Sequence, residues 1–265
     1  MSPTTNKTKT INLISFAVIA ILGIFLGSFS FCYALPEGES VEGGVDSSLY
    51  TFDRSVPDTL TVNTSLDKLI INFNSFSIAS TETVNFISSA SILNRVTGTE
   101  ASNIFGNLFA AGNIILINPN GINIGSTANI NVASLIASTL NIESSDFLAG
   151  KYNFFKDGES AFLINQGNIL IPNGGYVCLL SQALENRGLI QAELGTVVLA
   201  AGEKTTLALD DLNQISVVID EAVKNRVAES AIDNSGTISA NGGKVLLTAK
   251  VLNDVFDYAI NNLAA

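Results

Sequence analysis

The sequence predicts an all-β protein: a right-handed parallel β-helix (solenoid) with an N-terminal β cap and a small excursion outside the coils. Three observations predict it. Hydrophobic residues make up 47% and charged residues only 14% of the chain, with no Trp and one Met, so apolar strands must alternate with corners rich in Asn, Ser, Thr and Gly. A strand–corner unit recurs in the C-terminal half. A further corner, Asn118-Pro119-Asn120-Gly121, sits between two apolar strand-like runs, where Pro fixes one turn position and Asn-Gly tolerates a sharp reversal.

Residues 1–34 read as an export signal. Lys7 and Lys9 supply the positive start, Phe16 to Leu26 the apolar core, and Cys32-Tyr33-Ala34 a small-x-small site, so cleavage is expected after Ala34. Gly23, Gly27, Ser28 and Ser30 weaken the alternative of an uncleaved anchor. Bulky Phe31 argues against lipid attachment at Cys32. Removing Lys7 and Lys9 leaves 11 basic against 24 acidic side chains, a balance of −13, and only one cysteine, Cys178. No intramolecular disulfide is then available, and packing and backbone ladders must hold the fold.

The exported domain, 35–265, divides into a cap region at 35–91 and coils at 92–265. The cap region is the less periodic part, with "KLIINFNSFSI" its best strand. In the coils, Ile114 to Ile117 are apolar on both faces, which requires cover on both sides, from an extra sheet or from the cap. Downstream, Ile122, Ile124, Ile130 and Val132 alternate with Asn123, Asn129 and Asn131, as two short strands with one face inward require.

The repeat [Leu/Ile]-x-Asn-x-Gly-x-Ile begins at Leu163, Leu184 and Ile232, and each copy is followed by a second apolar strand. About 20 residues make one flattened turn of three short strands, and turns stacked about 4.8 Å apart pair every strand with its equivalents. Val177, Val197 and Val245, and likewise Leu179, Leu199 and Leu247, then form inward rows. Tyr176, Thr196 and Lys244 fall on the opposite face. Cys178 shares that face with Val198 and Leu246, which predicts a partly covered thiol, unreactive for want of a His partner. The wide gap before the third copy predicts an excursion at 209–230, with "EAVKNRVAES" its helix-compatible part. At the C-terminus, Ile260-Asn261-Asn262 stand where another copy opens, and the sequence stops without the Gly-x-Ile that should follow. This predicts an open last coil and a longer ancestral or split exoprotein.

Composition also excludes functions. Thirteen scattered basic residues and a net charge of −11 leave no groove for nucleic acid. With no His at all, the commonest general base and metal ligand are missing, and no catalytic, cofactor or metal site is expected. A β-helix polysaccharide lyase would need clustered carboxylates for Ca²⁺, and the adjacent acids Asp210-Asp211 fall in the excursion with no second acidic strand one coil away to complete a site. A self-assembling surface structural protein is the other alternative.

The residues resemble a known family. Asn118-Pro119-Asn120-Gly121-Ile122 looks like the NPNGI motif, and Asn94-Arg95-Val96-Thr97-Gly98 like the NRVxG motif, of the N-terminal secretion domain of two-partner secretion exoproteins. This is the haemagglutination activity domain, typified by filamentous haemagglutinin. The resemblance covers the chain from about Leu35 to near its end. It implies a non-enzymatic adhesin module that crosses the periplasm unfolded, engages an outer-membrane β-barrel transporter with POTRA domains, and folds at the cell surface or in the medium. Host-cell surface receptors or glycans are further implied partners. Asn94, Arg95, Val96, Gly98, Asn118, Pro119, Asn120, Gly121 and Ile122 are the residues it singles out for secretion, by docking or by nucleating the first coils. Arg95, with Glu100 nearby, is expected to tie a corner by hydrogen bonds.

Overall fold

The computed structural model describes residues 35–159, 161–209 and 215–263; the export segment 1–34 and Asp210-Asp211 lie outside the described residues. Parallel strands stack in three columns. In the first sheet, Lys68–Phe73 and Ser91–Val96 lead through the C-terminal halves of Asn107–Ile117 and Asn129–Ser138 to Tyr176–Ser181, Thr196–Ala201 and Lys244–Ala249. The second sheet runs from Thr59–Thr64 and Thr83–Phe86 through the N-terminal halves of the same two long strands to Asn168–Ile171, Leu189–Ala192 and Thr237–Ser239. The third begins at Ser102–Ile104 and Ile122–Ile124 and ends at Ser230–Asn234 and Tyr258–Asn262.

Alternation decides which side chains go inside. Leu60 and Val62, Val84 and Phe86, Leu108, Ile130, Ile169 and Ile190 fill the coil interior from the second sheet, while Val177, Leu179, Val197 and Leu199 fill it from the first. The expected rows hold in register, Val177 against Val197 against Val245. In the last coil Val245 is 44% exposed, because no further described strand covers it.

Corners are held by columns of small residues. A Cβ on Gly167, Gly188 or Gly236 would collide with the carbonyl oxygen of the glycine one coil earlier, Gly125, Gly167 and Gly188 respectively. The same holds of Gly195 above Gly175 and Gly243 above Gly195. Inside the next corner runs an amide ladder: Asn165 Nδ2 donates to Asn186 Oδ1 at 2.8 Å, Asn186 to Asn234 at 2.7 Å, and Asn234 to Asn262 at 2.7 Å. Ile260-Asn261-Asn262 therefore take the predicted register against Ile232-Asp233-Asn234.

Three features differ from the sequence expectation. Parallel pairing starts at Thr59, inside the stretch read as cap; the antiparallel cap strands are Ser40–Val41 on Lys68–Phe73 and Tyr50–Asp53 on Thr59–Thr64. The early coils escape the repeat pattern because their corner after Thr64 is Ser65-Leu66-Asp67, not Asn-x-Gly. Secondly, the excursion begins at Lys204 and is a hairpin, Lys204–Leu209 with Ile215–Glu221, and "EAVKNRVAES" forms no helix. Val223 instead returns to the coil, fully buried and bridged to Val251. Thirdly, an earlier excursion carries Asn141–Ile142, the α-helix Ser144–Leu148, and Tyr152–Phe155. The two excursions combine into one four-stranded antiparallel sheet.

This flanking sheet covers the outer face of the first sheet and creates a second core. Ile142, Phe147, Phe154, Leu207 and Ile215 pack there against Leu93, Ile115, Ile117, Ile136, Leu180 and Val198. The doubly apolar strand at Ile114 to Ile117 is explained, with its odd residues in one core and its even residues in the other. Tyr176 and Thr196, on the face opposite the interior rows as expected, are buried beneath the same cover. Cys178 is wholly buried rather than partly covered, and burial pushes its thiol far up from the ordinary range. Where both excursions leave the coils, the 93%-buried residue Glu203 is held by Lys224 at 3.1 Å and Lys156 at 3.8 Å.

Candidate functional site

The two sequence motifs lie on consecutive coils and meet. Ser91–Val96 pairs with the C-terminal half of Asn107–Ile117, so the corner after Val96 stacks against the corner after Ile117. Asn120 Nδ2 donates to the carbonyl of Gly98 at 2.9 Å, joining the motifs directly. Asn118 is fully buried, and its amide donates to the carbonyl of Glu100 at 2.9 Å and to Ser102 Oγ at 3.0 Å. Its Oδ1 accepts from the backbone of Asn120 at 2.9 Å, the Asx turn that Pro119 and Gly121 allow. Gly121 has φ +121°, a value that disfavours any side chain, and its carbonyl accepts from Ser102 N at 3.0 Å. Ile122 then enters the third sheet with its side chain in the interior.

Gly98 is needed for a different reason. A Cβ there would collide with the backbone carbonyl of Asn74 in the preceding coil. Val96 faces the interior, and so does Asn94, which is fully buried between Ile71 and Leu116. The Asn94 amide donates to the carbonyls of Ile92 and Ile115, both at 3.3 Å, while its Oδ1 has no partner among the described residues.

Arg95 points the other way, out of the coil and under the flanking sheet. Its guanidinium donates to Glu42 at 3.0 Å, Asn72 at 3.4 Å, Asn141 at 3.2 Å, Ser144 at 3.2 Å and the carbonyl of Ile142 at 2.7 Å. The hydrogen-bonding role expected of Arg95 is met with an acid from the cap, Glu42, far earlier in sequence, and not with nearby Glu100. One side chain thus joins the cap, the second coil and the flanking sheet. Hydrogen bonding by Ser144 most of all, then the Arg95 charge and Asn72, hold the Glu42 carboxyl below its ordinary range against the opposing effect of burial. Lys68 makes a second tie, donating to the carbonyls of Phe147 and Leu148 at 2.9 Å across the same interface. No sequence signal marks Glu42, Asn72 or Ser144, since they lie from 23 to 53 residues from Arg95.

Nothing in this arrangement poises a nucleophile, base or metal ligand set; among the described residues no three His, Cys, Asp or Glu side chains converge as a metal site. The site is a junction of structural parts. Capped parallel coils carrying a buried double-corner motif and a flanking sheet define a β-helical secretion domain. The chain matches the TPS secretion domain family over residues 55–264, and it belongs to that family, the secretion domains of exported two-partner secretion proteins. The crystal structure of the HMW1 secretion domain from Haemophilus influenzae aligns with a TM-score of 0.68 at 29% identity, over 80% of this chain and 57% of that one. Two heme/hemopexin-binding proteins of Haemophilus influenzae are 33% and 32% identical, over 91% and 80% of this chain. This chain spans about a quarter of their length, 26% and 25%.

Proposed function

We propose that this domain delivers an adhesin-type exoprotein to a dedicated outer-membrane β-barrel transporter with POTRA domains. After export under a signal peptide cleaved at Ala34, it nucleates β-helix folding outside the cell. It is a non-enzymatic module, and the two motifs serve secretion chiefly through folding. The observation that carries this reading is how little of the motifs is left for a partner: Asn94 and Asn118 are fully buried, and the Arg95 side chain is 14% exposed with every contact internal. A folded-state docking site would present such groups instead of spending them. The alternative of a fibre stacked end to end is disfavoured by the antiparallel cap, which closes one end to parallel pairing.

Co-expression with the transporter tests this. Asn118→Ala removes two donors from a buried corner and is expected to lower release into the medium at least severalfold while signal-peptide cleavage continues. The same variant, unfolded in urea and diluted onto immobilised POTRA domains, should bind as the parent does. Loss of that binding would mean that the motif acts by docking.

A further inference from the structure

Of the three coil faces, one is sealed by the flanking sheet and one carries Glu185 and Asp233, but the outer face of the second sheet is open and, between Asp53 beside Thr61 at the cap end and Glu193 beside Ser239 at the other, neutral. Two rows of side chains run along it. Thr61, Asn85, Phe109, Asn131, Leu170 and Gln191 stand in register on successive strands, ending at Ser239. Beside them run Thr83, Asn107, Asn129, Asn168 and Leu189, from Thr59 to Thr237. Neither row contains a charged residue, on a chain whose net charge is −11.

A second observation concerns the carboxamides. Many Asn side chains off this face are spent on the fold, in the interior ladder, the motif corner and the Arg95 junction. On this face Asn85, Asn129, Asn131, Asn168 and Gln191 have no side-chain partner among the described residues, and only Asn107 bonds across, to Thr83 at 3.3 Å. Unspent donors and acceptors therefore recur on every second strand of the first row, at Asn85, Asn131 and Gln191, about 9.6 Å apart, and on neighbouring strands at Asn129 and Asn168. A shallow groove of about 280 Å³ runs along the first row, lined by Asn131, Leu170, Ile171, Pro172 and Gln191, with Phe109 next to Asn131.

We infer that this face binds an extended neutral polysaccharide. Its hydroxyls would exchange hydrogen bonds with the carboxamide rows, and its C–H faces would lie on Phe109 and Leu170. Charge selects against the other extended polymers. A nucleic acid or anionic glycan meets no cation here and is repelled by the acidic remainder, and a basic peptide finds no carboxylate in either row.

Affinity electrophoresis of the full chain tests this, because its negative charge drives migration through native gels. Gels cast with hydroxyethyl cellulose or galactomannan should retard the protein, whereas heparin and polygalacturonate should not. Phe109→Ala should weaken the retardation roughly tenfold through loss of the apolar contact, and Asn131→Asp should weaken it as well. Val218→Ala, at an exposed site on the flanking sheet, should leave it unchanged. Unaltered circular dichroism of the variants separates lost binding from lost fold. Lack of retardation in both neutral gels overturns the inference. So does retardation that survives both face variants, or a dimer by light scattering that Phe109→Ala dissociates.

Discussion

Five hydrogen bonds converge on the guanidinium of Arg95, and the planar fork is what lets one side chain serve the cap, a coil and the flanking sheet. A lysine carries the charge without the fork and can satisfy only part of that set. Arg95→Lys is expected to cost about 1–3 kcal/mol in urea unfolding, since the acceptors it abandons are partly buried. Glu42 adds a pH dependence of known sign. Its folded pKa lies below the ordinary 4.5, so its contribution is present above that value and is lost as pH falls through the folded value. Amide exchange in Ser40–Val41 and Tyr50–Asp53 should therefore accelerate selectively below pH 4.5 in the parent, and Glu42→Gln should flatten that response. Cap exchange that follows the rest of the molecule at every pH would show that this contact does not hold the cap.

At the scale of the element, the amide ladder and the flanking sheet act differently. Asn186 both accepts from Asn165 and donates to Asn234 inside a dry corner. Asn186→Ala should cost about 2–4 kcal/mol, because a buried donor and acceptor lose their partners at once. The earlier coils carry Ile104 and Ile124 at the equivalent position, so apolar filling is compatible with the corner. Changing Asn165, Asn186 and Asn234 together to Ile should then cost less than three times the single change, as urea midpoints will report. The ladder was legible in the sequence because Asn, Gly and Ile recur at coil spacing on local strands. The flanking sheet was only half legible. Its need is visible in the doubly apolar Ile114 to Ile117, and "YVCLL" and "TVVLAA" carry the same signal, but Lys244 on that same face points to partial cover, whereas Cys178 is wholly buried. The earlier excursion lies upstream of the first recognisable repeat copy, so no gap in the repeat announced it.

Across the whole molecule, two cores share one wall, and Cys178 sits on the outer side of that wall with no exposed surface. Its raised pKa and lack of access predict no reaction with a thiol reagent in the native state, at neutral pH, and full reaction once unfolded. Labelling rates followed along a urea series should rise with loss of the flanking sheet; prompt labelling in buffer would contradict the second core. The motif junction, by contrast, could not be read from the chain. The partners of Arg95 are drawn from three separate segments, at Glu42, Asn72 and Asn141 to Ser144, and only the folded stack brings them together.

The glycine columns have a consequence for how such a chain can change length. Gly167 and Gly188 occupy equivalent corners, and the amides two residues before them, Asn165 and Asn186, lie 21 residues apart and bond to one another. Duplicating or excising that interval returns every strand to its own column, every corner glycine beneath another glycine, and every interior side chain to the same face. A change of one residue would turn inward positions outward along the strand. Heritable length variation in this architecture is therefore quantised, proceeding by whole turns copied or lost, while shorter insertions survive only where the excursions already carry the chain off the coil.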